Sequence, residues 1–191
     1  MIVQLEEWFE KGMRPQEYVT AMEKHQENFM NVYQSYQLPD DQQFFDDLKV
    51  KQLRVIVLTE DWCGDAMMNI PILLKLSEAS RMDVRFLKRD ENPELMDQYL
   101  TNGSSRSIPI FIFMNEDGEE EAVWGPRAPK IQEVVDDARE NMPDKDHPSF
   151  EEKQKEMILF LTKAYRENEE FWQEVYASLK ETLSSLEIKT K

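Results

Sequence analysis

The 191-residue chain carries a single thiol, Cys63, within the run Trp62-Cys63-Gly64-Asp65-Ala66-Met67-Met68-Asn69-Ile70-Pro71. An apolar β-branched run precedes it and a helix-like stretch follows, so the sulfur stands where a strand hands over to a helix. The unpaired amides and positive dipole end of such a helix favour thiolate over thiol, as disulfide exchange requires. That effect is worth roughly 0.3 to 1 kcal/mol, whereas a carboxylate on Asp65 at about 6 Å opposes it by roughly 0.7 to 3 kcal/mol at an effective dielectric between 20 and 80. Glu60 and Asp61 add to the opposition, so the sequence leaves the ionisation of Cys63 open. Asp65 is also a good helix-starting residue in its own right.

Little else in the chain offers chemistry. His25 and His147 are far apart with no partner at metal-ligand spacing, so no metal site is expected, and Met67 and Met68 read as core filler. Five glycines supply neither a G-x-G-x-x-G turn nor a phosphate-cradling loop, and no nucleotide, flavin or haem cofactor is expected. A net charge of −16 repels phosphate backbones and anionic lipid headgroups, which speaks against nucleic-acid and membrane-surface partners. One cysteine excludes an internal disulfide. The start MIVQLEEWFEKG bears acids where a signal peptide carries bases, and no apolar run approaches the roughly 20 residues that span a bilayer. The expectation is a cytoplasmic protein with one core, since 40% apolar residues suffice to fold.

The elements that must position Cys63 follow from periodicity. Arg54–Leu58 and Val84–Leu87 read as strands flanking a helix from Asp65 to about Ala79, a parallel βαβ unit. A short helix follows at Pro93–Leu100. Ile110–Met114 and Glu120–Trp124 read as a hairpin with Gly118 at positive φ, and a helix over Pro129–Asn141 closes this region. Upstream, apolar spacing over Arg14–Tyr36 predicts one helix, followed by a short one around Phe44–Leu48. Downstream, beyond the break Pro143–Pro148, the stripe Ile158, Leu161, Tyr165, Trp172, Val175, Tyr176, Leu179, Leu183 and Leu186 predicts one long amphipathic helix. Docking against the N-terminal helix is the preferred use of that stripe, with a coiled-coil dimer as the other.

Trp62, Cys63, Gly64 and Pro71 match the pattern Trp-Cys-Gly-Pro-Cys with its later helix proline, and the chain here resembles the thioredoxin-like superfamily. Asp90-Glu91-Asn92-Pro93 resembles that superfamily's acidic Asn-Pro segment, and Ser107-Ile108-Pro109 its cis-proline loop. The resemblance covers about residues 50–141. It implies an α/β fold, a thioredoxin-like α/β/α sandwich, with a helical extension over 1–49 and a linker and C-terminal helix over 142–191. It also implies that Cys63 is the reacting group, with Trp62, Gly64, Asp65, Ile108 and Pro109 around the substrate.

Three departures shape the expected activity. Ala66 stands where the resolving cysteine belongs, Val57 where a buried acid assists that cysteine, and Asp65 where the motif has proline. An intramolecular dithiol cycle is therefore impossible. The implied function is exchange through Cys63 alone on a protein disulfide or a small-thiol mixed disulfide, resolved by an external thiol. The rival is a redox-inactive peptide- or protein-binding module. Arg81, Arg85, Lys88 and Arg89 are the one local basic cluster, suited either to solvent or to an anionic small thiol.

Overall fold

The run at 54–58 becomes a central strand because both of its faces are covered. In the computed structural model, which describes residues 5–186, β1 (Arg54–Thr59) is parallel to β2 (Asp83–Lys88) and antiparallel to β3 (Ile110–Met114). β4 (Glu120–Trp124) completes the order β2-β1-β3-β4. Residues 1–4 and 187–191, parts of the expected terminal extensions, lie outside the described residues. Every residue in 55–58 and 111–114 is at 0% exposure. Alternate strand residues point to opposite faces, so helices must cover both sides. The hairpin between β3 and β4 turns through Gly118 at φ 78°, as expected, with Asn115 Oδ1 accepting from the amides of Asp117 and Glu119.

Helix α1 (Leu5–Lys11) packs on β1 and β2, and α2 (Pro15–Ala21) on β2. Met13 between them exchanges two 2.9 Å backbone hydrogen bonds with Phe86, and Tyr18 stacks on Phe86 at 4.4 Å. Helices α3 (Gln26–Ser35) and α4 (Gln42–Lys51) pack on α5 (Gly64–Ser80), the βαβ crossover. α6 (Pro93–Met96) is shorter than expected, and α7 (Pro129–Glu140) follows β4. α8 (Phe150–Glu167) lies against α5 and α3, while α9 (Glu169–Ser184) lies against α5, α7 and β4.

Two expected single helices are pairs. The stretch from Arg14 to Tyr36 breaks at 22–25, where Asp61 Oδ2 accepts from the amides of Glu23 (2.7 Å) and Lys24 (3.1 Å) and His25 sits at φ 56°. A carboxylate from the loop before Cys63 thus satisfies amides that a continuous helix would have paired internally. The C-terminal segment breaks at Asn168, whose Oδ1 caps α9 by accepting from Glu170 N at 2.9 Å and Phe171 N at 3.4 Å. Asparagine is favoured at that position because its side chain replaces the missing intrahelical acceptor.

Candidate active site at the start of α5

Cys63 occupies the residue before the first turn of α5, with extended backbone at φ −81° and ψ 118°. The amides of Asp65 and Ala66 point at its sulfur. Sγ donates to the Ile108 carbonyl at 3.4 Å, and the Ile108–Pro109 peptide is cis. The structure therefore brings together Cys63, Gly64, Asp65, Ile108 and Pro109. Trp62 stands apart from them on the surface at 43% exposure, with the Arg89 guanidinium 5.0 Å from its ring.

Cys63 is 7% exposed, and this decides the balance left open above. Burial, then the Asp65 charge, push the thiol from its ordinary 9.0 up to about 11 against the two amides and Arg127, so it is protonated at neutral pH. Asp65 is itself buried and held by Arg127 in a bidentate pair, Nε and Nη2 each 2.6 Å from a carboxylate oxygen. Tyr165 of α8 lies beside both groups of that pair, and its ring would touch a Cβ built on Gly64 at 3.8 Å. The C-terminal segment thus covers the start of α5, a point on which periodicity was silent.

Arg127, Tyr165 and Gly125 carry no motif and are absent from the sequence-based set. Only Gly125 left a trace, as one of five glycines and followed directly by proline. Its φ is 132°, and a Cβ there would sit 2.2 Å from the Pro109 carbonyl oxygen, so only glycine lets β4 end against the Pro109 loop. The basic cluster does not converge: Arg85 pairs with Asp83 and stacks on Phe9, Lys88 pairs with Glu91, and Arg89 pairs with Asp90. Met67 and Met68 are core residues at 1% and 0% exposure, and Val57 is fully buried in β1.

The sequence model of the thioredoxin family matches residues 12–139, from just before α2 to the end of α7. The chain belongs to the thioredoxin family. The family match takes in α2–α4 as well as the sheet and leaves α8 and α9 outside. Two solved structures share the fold over almost the whole chain. An HIV epitope scaffold is 15% identical at a TM-score of 0.64, covering 93% of this chain and 96% of its own. A protein of unknown function from Pseudomonas aeruginosa is 16% identical at 0.63, covering 94% and 99%. Mitochondrial thioredoxin 3 from Saccharomyces cerevisiae, in its oxidised form, is 28% identical over 54% of this chain and 94% of its own, at a TM-score of 0.32. No curated protein matches. Among the described residues, no helix is long and apolar enough to cross a membrane.

Proposed function

We propose that this member of the thioredoxin family is a thiol-disulfide exchange protein working through Cys63 alone. The observation that supports this is the placement of Sγ at the mouth of α5, with two amides aimed at it and the Ile108 carbonyl 3.4 Å away. The Cys63 thiolate attacks one sulfur of a protein disulfide or small-thiol mixed disulfide. A bond forms between Sγ and that sulfur, the old S–S bond breaks, and the departing thiolate takes up the proton that Cys63 lost. An external thiol then attacks the mixed disulfide, releases Cys63 and is itself left disulfide-bonded to the former substrate sulfur. That step needs a pool of free thiols, which suits a reducing compartment such as the cytoplasm.

The raised thiol slows this chemistry without abolishing it. Moving from 9.0 to about 11 lowers the thiolate fraction at neutral pH about a hundredfold, while the more basic thiolate gains roughly six- to tenfold in nucleophilicity. The net cost is about tenfold in rate. A second reading is favoured by the same burial: a redox-inactive binding module in which Cys63 is a packed core residue. Turnover of a mixed-disulfide substrate with excess small thiol separates the two. Loss of that turnover in Cys63→Ser supports exchange, and turnover that survives the substitution overturns it. Alkylation of Cys63 is expected to rise about tenfold per pH unit and to level off only near pH 11.

A further inference from the structure

Helix α8 has two faces with different surroundings. Tyr165 is buried at 3% and Leu161 packs against the core, whereas Glu151–Glu156 are all exposed and Ile158, Leu159 and Phe160 are 53%, 70% and 59% exposed. Ile158, Leu159 and Phe160 follow one another at steps of about 100°, so Leu159 lies at the centre of the outward face with Phe160 to one side of it. At 100° per residue, Glu152, Glu156, Leu159, Lys163 and Arg166 fall on one stripe opposite Leu161 and Tyr165, with alternating spacings of four and three. The stripe is acidic in its first half, apolar at its centre and basic in its second half.

Such a stripe complements its own reverse. Turning α8 end for end about Leu159 sets Glu152 against the partner's Arg166 and Glu156 against the partner's Lys163, and two-fold symmetry makes each pair twice. A parallel pairing would instead set acid against acid and base against base. We propose that this face of α8 is a homodimer interface, in which two α8 helices pack antiparallel with Leu159 on the two-fold axis and Phe160 flanking it. The 18 residues of α8 span about 27 Å. The pair Lys153–Glu156 is exposed at both ends and easily exchanged for contacts across the axis, whereas Arg166 is half-exposed and pairs with Glu167 while its Nη1 donates to Asn28 Oδ1 of α3 at 3.5 Å. One helix pair is a small interface, so roughly micromolar association is expected. The inference is independent of the chemistry of Cys63.

Sedimentation equilibrium of the full chain, from low micromolar to several hundred micromolar, tests it. The expected result is a monomer–dimer equilibrium that Leu159→Glu weakens by about tenfold or more, as for a residue at an interface centre. Glu156→Lys and Lys163→Glu should each weaken it alone, and the two together should restore it. All three positions are exposed, and unchanged thermal melts verify that the variants fold. A chain that stays monomeric throughout overturns the proposal and leaves the face to a different partner. A dimer indifferent to Leu159→Glu, or a double charge swap no better than the single ones, also overturns it.

Discussion

Influences of unequal size act on Cys63, and their order governs its chemistry. Burial acts most strongly, the Asp65 carboxylate next, and the amides of Ala66 and Asp65, with Arg127, oppose both. Removing the carboxylate charge in Asp65→Asn should therefore move the alkylation midpoint down toward the ordinary 9 without reaching it, because burial persists. The same change leaves Arg127, whose side chain is 14% exposed, without its counter-charge. Breaking a buried pair from one side costs about 3 kcal/mol. Chemical denaturation should register that loss, and an unchanged alkylation midpoint would contradict the role given to Asp65. The candidate thiol and the Pro109 loop were legible because they lie in short local motifs. Arg127 was not, since it stands 62 residues from Asp65 and only folding brings the two within 2.6 Å.

The elements differ in how far periodicity alone places them. Strands β1 and β3 are short, almost wholly apolar runs and helix α5 a longer, mostly apolar one, and the structure puts them within a residue or so of where the pattern does. The α8–α9 segment keeps its heptad phase on both sides of Asn168, which interrupts the apolar stripe, and the chain bends there because that side chain captures two amides. Asn168→Ala should cost about 1 kcal/mol, the usual worth of a helix N-cap. It should also loosen Tyr165, which accepts from Trp172 Nε1 at its carbonyl at 2.8 Å just before the bend. The check is a lowered melting temperature together with faster alkylation of Cys63. Equal alkylation rates in the variant and the parent would show that α8 does not govern access to the thiol.

At the scale of the whole molecule, distant segments are tied by a few polar anchors: Asp61 to the α2–α3 break, and Asp41 to Tyr176 (2.8 Å) and Lys180 (2.5 Å) of α9. Buried acids of high pKa make the assembly sensitive to alkali. Cys63 is raised from 9.0 to about 11, so the folded chain keeps its proton where the unfolded chain has lost it. Its contribution is fully present below pH 9 and is lost as the pH rises through 11, about 2 to 3 kcal/mol in all. Tyr18, Tyr36 and Tyr165 are raised mainly by burial and add to the loss above pH 10. Melting temperatures should be flat to about pH 9 and then fall, with a later onset in Cys63→Ser. By itself the sequence determined the strands, the crossover helix, the fold class and the position of the single sulfur, because each depends on residues close together along the chain. Only the tertiary structure decided that this sulfur is buried and protonated, that α8 covers the start of α5, and that two long helices are broken. Those outcomes depend on which distant side chains exclude water and which carboxylates reach free amides.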